Sequence, residues 1–545
     1  MRVLRPRRTL AALLGVLLGA LTAGGFATSR TAAAHGDDAR PGGGRRAVPT
    51  PFEALLPAPV SARAGGPGYA VGPGTVIRTP RGSGAEVRRV GELLAEQLRR
   101  PSGLPLPVVD GDAGGGGGDG GGGIRLRIDG RAEGLGEEGY RLESRPDGVT
   151  LTARTPEGLF HAGQTLRQLL PASGPGTVPG GEISDAPRFA YRGAMVDVAR
   201  HFFTVEQVKR YVDQLAQYKV NTLHVHLTDD QGWRLAIDSW PRLATYGGAG
   251  EVGGGPGGHW TKDEYRDLVA YAGERYVDLV PEIDMPGHVN AALASYAELN
   301  CDGKAPARYT GVKVGFSSLC VGKELTYEFV DQVLGELAEL TPGRYLHIGG
   351  DEAHSTPAAD YAAFMDRAQE AVARHGKTVV AWHQLAAARP APGAVLQYWG
   401  HDRTAAAEKE RVAAAAAAGH RLILSPADRL YLDMKYDLTT KPGLAWAGLV
   451  PVKKSYSWDP GAYLPGVPES AVLGVEAPLW TETIATRADW EFMAFPRLLS
   501  LAELGWSPAG ALDWESYRER LAAQAPRLAA QDIPFYRAPD VPWGK

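Results

Sequence analysis

The chain has 545 residues, which is long enough to bury one large hydrophobic core and a smaller one. Its 58 Lys and Arg residues nearly balance 62 Asp and Glu residues, and the net charge is −4. A nucleic-acid-binding protein normally carries a concentrated basic surface, so this balance argues against a nucleic-acid partner and favours a neutral substrate.

The first 34 residues have the pattern of a signal peptide. Four arginines precede an apolar stretch over residues 10–21, and three alanines at residues 32–34 supply a cleavage pattern. The stretch is too short, and too often interrupted by glycine, to span a membrane comfortably. We therefore expect residues 1–34 to be removed and the mature protein to be secreted, extracellular and free of the membrane. Arg7 and Arg8 leave both the general and the twin-arginine export routes open.

Residues 35–51, rich in Gly, Pro and Arg, are predicted to form a flexible leader, and residues 52–184 a small auxiliary α+β domain. Its runs TVIRT, GIRLRI, GYRLES and GVTLTA are typical of strands, and a Pro-Asp-Gly turn joins the last two. Helical patterns cover residues 86–99 and 156–170. The glycine run 111–123 is predicted to be a flexible loop. No group of residues in this region has the pattern of a catalytic or ligand-binding site.

Residues 185–545 alternate between strand-like and helix-like segments, which is typical of a parallel sheet. The eight predicted strands lie in YRGAMVDVAR, VNTLHVHLTDD, VDLVPEIDMPGH, YLHIGGDE, TVVAWHQ, AVLQYWG, RLILSP and VLGVEAPLWTE. Amphipathic stretches such as residues 205–218 lie between them. Eight such units predict a (β/α)8 TIM barrel. A doubly wound sheet would place a glycine-rich phosphate loop after the first strand, and DVARHFF is not one.

Polar and aromatic residues crowd the ends of these strands, where a TIM barrel places its chemistry. They are Asp197, Arg200, Asp229, Asp230, Glu282, Asp284, His288, Asp351, Glu352, Trp382, Trp399, Tyr431, Asp433, Trp480 and Glu482. Each alone has a structural explanation as a helix cap, an ion-pair partner or a core aromatic. Their recurrence on strand after strand favours a binding site. A sugar suits it, because its C–H faces stack on indole rings while its hydroxyls bond to carboxylates and guanidinium groups.

Six motifs then occur in order along the strands: DVARHF, HLTDDQGWR, EIDMPGH, HIGGDE, QYWG and LWTE. Together they resemble the family 20 glycoside hydrolases, specifically the secreted bacterial β-N-acetylhexosaminidases. The resemblance covers the barrel nearly end to end and extends to the auxiliary domain. It implies an exo-acting, retaining enzyme, without cofactor or metal, that removes terminal non-reducing N-acetylglucosamine or N-acetylgalactosamine. Chitin fragments and glycoconjugates both remain open as natural substrates.

The resemblance also explains why two acids, Asp351 and Glu352, stand side by side. It implies that the substrate's own 2-acetamido oxygen attacks the anomeric carbon and forms an oxazolinium intermediate, so no enzymic nucleophile is needed. Glu352 would protonate the leaving oxygen, and Asp351 would accept the acetamido N–H. We expect the two side chains to diverge towards these two tasks.

Further roles are implied by the same resemblance. Tyr431 would donate a hydrogen bond to the acetamido oxygen and hold it for attack. The ring hydroxyls would be bound by Arg200, Asp433 and Glu482, and the acetamido methyl would be surrounded by Trp382, Trp399 and Trp480. Trp446 would stack on the sugar beyond the scissile bond. Asp229 and His288 would lie behind Glu352.

Cys301 and Cys320 are the only cysteines. An exported protein meets oxidising conditions, so we predict a disulfide between them, which would constrain the unfolded chain by about 3 kcal/mol. The alternative is a pair of unrelated buried thiols.

Two other function classes remain open. His224 and His226 share one strand face, as in metal-dependent barrel hydrolases, and Asp284 and His288 would complete such a site. This alternative leaves the tryptophans without a purpose. The other class is a non-catalytic sugar-binding protein on the same fold, against which the presence of both adjacent acids argues.

Overall fold

The computed structural model describes residues 51–111 and 122–544. The predicted signal peptide, nearly all of the predicted leader and most of the glycine run lie outside these residues. Among the helices of the described part, none combines the length and the apolar character needed to cross a membrane.

The auxiliary domain is built from a seven-stranded sheet and a two-stranded sheet covered by two helices. Its elements are β1 (Ser61–Ala64), β2 (Tyr69–Ala70), β3 (Val76–Thr79), α1 (Gly84–Ser102), β4 (Val108–Asp110), β5 (Gly123–Ile128), β6 (Tyr140–Arg145), β7 (Gly148–Ala153), α2 (Pro156–Leu169), β8 (Thr177–Val178) and β9 (Gly181–Asp185). The larger sheet has the strand order β1-β9-β6-β7-β5-β3-β4. The four predicted strands and both predicted helices are present, and the α+β prediction is confirmed.

All eight predicted barrel strands are present and close into a barrel. They are β10 (Tyr191–Asp197), β11 (Thr222–His226), β12 (Asp278–Glu282), β13 (Tyr345–His347), β14 (Thr378–Trp382), β15 (Val395–Tyr398), β16 (Arg421–Leu424) and β17 (Val472–Leu479). Every neighbouring pair is parallel, including the closing pair β10 and β17. The predicted (β/α)8 barrel is therefore confirmed.

The helices of the barrel domain follow the strands in chain order. They are α3 (Val205–Ala216), α4 (Lys262–Gly273), α5 (Asn290–Ser295), α6 (Glu324–Leu340), α7 (Ala358–Arg374), α8 (Ala406–Ala417), α9 (Ala427–Leu430), α10 (Val452–Tyr456), α11 (Arg487–Ala494), α12 (Arg497–Trp506) and α13 (Trp514–Ala529). Local chemistry sets the limits of α3. Thr204 and Gln207 form a capping box at its start. Lys219, with a φ of 62°, turns the chain towards β11.

The two domains meet in a buried polar cluster. Lys219, from the barrel, donates to Asp185 Oδ2 at 2.9 Å and to the Tyr140 hydroxyl at 2.8 Å, both in the auxiliary domain. Its ammonium group also lies 4.4 Å from the ring centroid of Trp506, whose indole N–H donates to Asp185. Because each of these buried groups has a partner, the cluster joins the two domains without leaving a bare charge.

Candidate active site

The two adjacent acids follow β13 through a pair of glycines. Gly349 has a φ of 63° and Gly350 a φ of 99°. A Cβ at Gly349 would lie 1.8 Å from Asp284 Oδ1, so no other residue fits there without moving that acid. The Gly350 N–H donates to the same oxygen at 3.0 Å. The glycine pair thus lets the chain bend tightly around Asp284 and present the acids at the mouth of the barrel.

Asp351 and Glu352 do not lie on an extended strand. Glu352 has a φ of 44°, so the backbone is not extended here and the strand alternation does not apply. One oxygen of each acid and one ring nitrogen of His288 lie within 4.8 Å of one another. The two acids also differ in how deeply they are buried. The side chain of Glu352 is 30% exposed and that of Asp351 only 11%.

His288 links this pair to a buried acid behind it. Its Nε2 lies 3.6 Å from Glu352 Oε2 and 3.9 Å from Asp351 Oδ2, and its Nδ1 lies 3.2 Å from Asp229 Oδ1. Burial would lower the pKa of His288, but the charges of Asp229 and Asp351 outweigh it and raise that pKa well above the usual range. The buried ring of His288 lies between the acid pair and Asp229, as the predicted chain behind Glu352 requires.

Asp351 has an oxygen without a donor. Its Oδ1 makes no hydrogen bond to any part of the chain that the structure describes. Burial, followed by the charge of Glu352, raises the pKa of Asp351, while His288 opposes that shift. The pKa of the neighbouring Asp284 is also raised, first by burial and then by the charge of Asp351. Asp351 is therefore a buried acceptor with one free position, which a ligand N–H or O–H can fill.

Arg200 lies on the loop after β10. Its Nη2 is 2.7 Å from Asp229 Oδ2, its Nη1 is 3.3 Å from Asp197 Oδ2, and its guanidinium carbon is 4.8 Å from the ring centroid of Trp480. Its Nε, also buried, has no partner among the described residues. The guanidinium is thus held in one orientation with a donor to spare.

Asp433 and Glu482 form a second acidic pair. Asp433 is 1% exposed, and neither of its carboxylate oxygens has a hydrogen-bond partner in residues 51–111 and 122–544. Burial and the charge of Glu482 raise the pKa of Asp433. Burial also raises the pKa of Glu482, although Arg200 acts in the opposite direction. Sugar hydroxyls are the kind of donor that would satisfy these oxygens.

An aromatic cluster forms one side of the same site. Trp382, Tyr431 and Trp480 are buried together, and Trp399 packs against them. Trp382 has no exposed surface and its ring lies 5.9 Å from that of Trp480, so it supports the wall from behind instead of lining it. Trp446 is 44% exposed, 5.8 Å from Tyr431, and forms the rim. The cluster offers an apolar surface beside the acids.

The two histidines of the metal-dependent alternative, His224 and His226, face the barrel interior, where their ring nitrogens contact carboxylates. His226 Nε2 lies 2.8 Å from Asp229 Oδ2 and its Nδ1 lies 2.5 Å from Glu282 Oε2. Burial would lower the pKa of His226, but Glu282 and Asp229 raise it to about 9. Both ring nitrogens of His226 therefore face carboxylates, so the structure pairs this histidine with acids in the barrel interior.

The predicted disulfide between Cys301 and Cys320 is present. The loop that it closes contacts the segment around the acid pair. Within this loop Ser317 accepts a hydrogen bond on its carbonyl oxygen from Ser355 at 2.9 Å, and its hydroxyl donates to Asp230 at 2.5 Å. The disulfide thus closes a loop that borders the site.

Comparison with known proteins identifies the family. The family model described as the catalytic domain of glycosyl hydrolase family 20 matches residues 189–509, and the model of that family's domain 2 matches residues 53–186. The chain belongs to glycoside hydrolase family 20. It is therefore a glycosidase, and the resemblance seen in the motifs is confirmed.

Several relatives of this family 20 enzyme are similar over nearly its whole length. A β-N-acetylhexosaminidase of Cellulomonas fimi is 40% identical over 90% of this chain and 98% of its own. The solved structure of a family 20 β-N-acetylhexosaminidase from Streptomyces coelicolor A3(2) is 62% identical, with a TM-score of 0.87, over 91% of this chain and 100% of that one. A mutant Streptomyces plicatus β-hexosaminidase, solved with the product GlcNAc, is 61% identical, with a TM-score of 0.87, over 91% of this chain and 99% of that one.

The family 20 site brings the predicted residues together in three groups. The acid pair joins His288, Asp229 and Arg200. Asp433 feels the charge of Glu482. Tyr431, Trp399, Trp446 and Trp480 form the wall and rim, with Trp382 behind them. Asp284 was predicted to lie at a strand end and to be an alternative metal ligand, but its role in holding the glycine pair was missed. Its place in the EIDMPGH motif was the sequence feature that could have indicated this role.

Proposed function

We propose that this family 20 glycosidase is an exo-acting β-N-acetylhexosaminidase that removes terminal non-reducing N-acetylglucosamine or N-acetylgalactosamine from oligosaccharides or glycoconjugates. The observation that carries the proposal is the free acceptor on buried Asp351, next to Glu352 and within electrostatic reach of Tyr431 in the aromatic cluster. An acetamido group offers an N–H for such an acceptor and a methyl group for such a wall. The names of the relatives and the bound GlcNAc support the same substrate class.

The first chemical step uses the acid pair on one sugar. Glu352 donates its proton to the glycosidic oxygen as the bond to the anomeric carbon breaks. The acetamido carbonyl oxygen attacks that carbon from within the substrate and closes an oxazolinium ring. Asp351 accepts the acetamido N–H, and its negative charge stabilises the positive charge that develops on the ring.

Tyr431 places the attacking oxygen. Burial, followed by the charges of Asp351 and Asp433, raises the pKa of Tyr431, so its hydroxyl stays protonated. A protonated phenol donates a hydrogen bond, and the acetamido carbonyl oxygen is its acceptor in this mechanism. The hydroxyl thus holds the acetamido group in the orientation needed for attack.

In the second step water opens the oxazolinium ring. Glu352, now ionised, takes a proton from that water, which attacks the anomeric carbon from the side that the leaving group vacated. Two inversions at this carbon give a product with the original β configuration. Arg200, Asp433 and Glu482 bind the hydroxyls of the same sugar, which suits a terminal residue held whole in the well.

A second mechanism fits part of the geometry. Retaining glycosidases that use an enzymic nucleophile hold two carboxyl groups about 5 Å apart, and oxygens of Asp351 and Glu352 lie within 4.8 Å of each other. In that mechanism Asp351 would attack the anomeric carbon itself. The substrate's 2-substituent then has no part in the bond change, so an experiment on that substituent separates the two mechanisms.

The decisive experiment varies the acetamido group. Nitrophenyl β-glucosaminides with N-acetyl, mono-, di- and trifluoroacetyl groups have progressively weaker carbonyl nucleophiles and nearly constant shape. We expect kcat to fall steeply along the series, a plain glucoside to be almost inert, and the first product to have the β configuration by NMR. A flat series with a β product would show that Asp351 is the nucleophile, and an α product would show direct attack by water.

The sugar epimer needs a separate measurement. Hydrolysis of nitrophenyl N-acetyl-β-glucosaminide and of its galacto epimer reports how the well treats the 4-hydroxyl, which differs only in orientation between the two. We expect both to be hydrolysed, because Arg200 and Glu482 provide a donor and an acceptor there. Complete failure of both substrates would contradict the proposed activity.

We further propose that the enzyme is exported. The arginine-rich, apolar and A-x-A segments at the N-terminus support this, and so does the disulfide, which forms and persists in oxidising compartments. Activity should appear in the culture medium of an expressing bacterium, and the secreted chain should begin near residue 35. Retention of full-length chain in the cytosol would contradict export.

A further inference from the structure

A second cleft lies between the auxiliary domain and the barrel. Its volume is about 530 Å³, within the range of about 300 to 1,000 Å³ typical of small-molecule sites. Its lining includes α1, the chain after α2, the C-terminal halves of α3 and α4, and the end of α13. Barrel helices return from the catalytic ends of the strands to their N-terminal ends, so this lining lies towards the face opposite the acid pair.

The lining is rich in arginine. Five arginines and three acidic residues contribute to it. Arg275 donates to Asp213 at 2.5 Å and Arg210 donates to Glu491 at 2.5 Å, so these two have carboxylate partners. Arg527 instead donates to three backbone carbonyls at the C-terminal end of α2, which satisfy its N–H groups but do not neutralise its charge.

Arg167, on the last turn of α2, is buried and forms no ion pair with an acid in residues 51–111 and 122–544. It is 9% exposed, and its Nε and Nη2 have no hydrogen-bond partner anywhere in the described residues. Burial, together with the nearby charge of Arg527, lowers the pKa of Arg167 to about 10, although Tyr218 acts in the opposite direction. A buried guanidinium of this kind is costly to a fold unless an anion binds to it.

A buried acceptor lines the same cleft. Gln214 is 3% exposed and its amide nitrogen donates to Glu491 at 2.6 Å, while its Oε1 has no partner in the described chain. The cleft therefore offers one neutral acceptor and three arginines without a carboxylate partner in the described chain, which are Arg167, Arg527 and the exposed Arg100. Its volume exceeds that of an inorganic oxyanion by several-fold, so a larger molecule is the better match.

We propose that this cleft binds a small organic anion, a sugar-sized molecule whose phosphate, sulfate or carboxylate group is bound by Arg167 beside Arg527 and whose hydroxyl group donates to Gln214 Oε1. The planar fork of a guanidinium suits such oxygens, because it donates two parallel hydrogen bonds. None of the residues assigned to glycoside hydrolysis lines this cleft. The ligand would therefore bind independently of the substrate and would link the two domains.

Calorimetric titration of the full chain with glucose 6-phosphate, in buffer free of phosphate and sulfate, tests the proposal. Glucose 6-phosphate has no acetamido group and so avoids the catalytic well. We expect saturable binding that glucose alone does not show, and Arg167→Met should weaken it about 10- to 100-fold by removing a charged hydrogen-bonding group. Arg131→Met, at an exposed arginine of the same domain outside the cleft, should leave the affinity unchanged.

Thermal melting and competition distinguish loss of the anion site from loss of the fold. In the anion-free buffer Arg167→Met should melt at a temperature no lower than the parent enzyme, which shows that it folds, and Arg167→Lys should retain part of the affinity. Saturating N-acetylglucosamine should not change the affinity. Absent binding, equal affinity of the parent and Arg167→Met, or competition by N-acetylglucosamine would each overturn the site. Equal affinity for inorganic phosphate and glucose 6-phosphate would overturn its assignment to an organic ligand.

Discussion

Lys219 at the domain interface and Asp433 in the catalytic well are both buried charged groups, but only Lys219 has hydrogen-bond partners in the described chain. Lys219 has Asp185 and Tyr140 at 2.9 and 2.8 Å. In the well, Asp433 is equally buried and neither of its oxygens accepts a hydrogen bond from the described chain. Paired charges stabilise a junction, whereas unpaired ones destabilise the empty protein and are kept where a ligand supplies the missing donors.

The pKa values of buried acids at the interface and in the well shift in opposite directions. Glu138, of the auxiliary domain, contacts Arg192 of the barrel at the interface. Burial would raise the pKa of Glu138, but Arg192 and His161 lower it to about 2. In the well the pKa of Asp433 moves upwards, since burial and Glu482 act together. Changes in the well should therefore affect rate more than stability, and changes at the interface should affect stability more than rate.

The largest effect is expected from Glu352→Gln. It should lose about 10²- to 10⁴-fold in kcat on substrates with poor leaving groups, because the general acid is gone, and much less on activated aryl glycosides. The free energy of unfolding should change by less than about 0.5 kcal/mol, as for other partly exposed side chains. Glu328→Gln, at an exposed acid of α6, is the control. Equal losses on both substrate types would refute the role of Glu352.

Lys219→Met should produce the opposite result. Removing one partner of a buried pair leaves Asp185 uncompensated and should lower the free energy of unfolding by about 3 to 5 kcal/mol, measured by urea denaturation. The kcat of the folded fraction should be unchanged. Lys209→Met, on α3, removes ion pairs with exposed partners and should cost about 0 to 1 kcal/mol. Similar losses in both variants would contradict the importance of the buried cluster.

Asp351→Asn should lose about 3 to 4 kcal/mol of transition-state stabilisation, roughly 10²- to 10³-fold in kcat, because a preorganised charge is removed. The free energy of unfolding at neutral pH, in contrast, should be higher in Asp351→Asn than in the parent enzyme. The folded-state pKa of Asp351 is raised, chiefly by burial, so the parent enzyme loses stability as pH rises from the ordinary value of about 3.9 towards that raised pKa. The Asn variant cannot ionise at this position and so lacks this loss. Between pH 3 and pH 7, the free energy of unfolding should fall less in the variant than in the parent, as measured by denaturation. A variant less stable than the parent at pH 7 would contradict this account.

Reduction of the Cys301–Cys320 disulfide should lower the free energy of unfolding by about 3 kcal/mol, since it removes a constraint on the unfolded chain. The oxidised protein should show no free thiol after denaturation. The double variant with both cysteines replaced by serine should match the reduced protein and be insensitive to reductant. Two titratable thiols in the secreted protein would rule the disulfide out.

The smallest expected effect is that of a chelator. Prolonged treatment with EDTA should change kcat by less than about twofold, because both nitrogens of His226 contact carboxylates and the proposed mechanism uses no metal. Loss of activity that zinc restores would revive the metal-dependent alternative.

Local sequence determined the architecture and most of the site. Apolar runs such as VNTLHVHL are buried on every residue of the strand and predict a parallel barrel strand from composition alone. Strands such as β1 were missed, because SARA carries no hydrophobic pattern and its pairing with β9 decides its conformation. The acid pair was evident in the motif HIGGDE, but the directions of the two side chains were not.

Only the tertiary structure decided how the charges are distributed. The motif contains Asp351, Glu352 and two glycines, yet the bend that brings both acids to His288 depends on Asp284, which lies on another strand's end. Likewise nothing in the sequence around Arg167 distinguishes it from the paired arginines, because its lack of a partner follows from how α2 packs against the barrel. Periodicity along the chain encodes which residues are buried, whereas the partner of a buried charge is decided by packing and can lie far along the chain, as Trp506 does from Asp185.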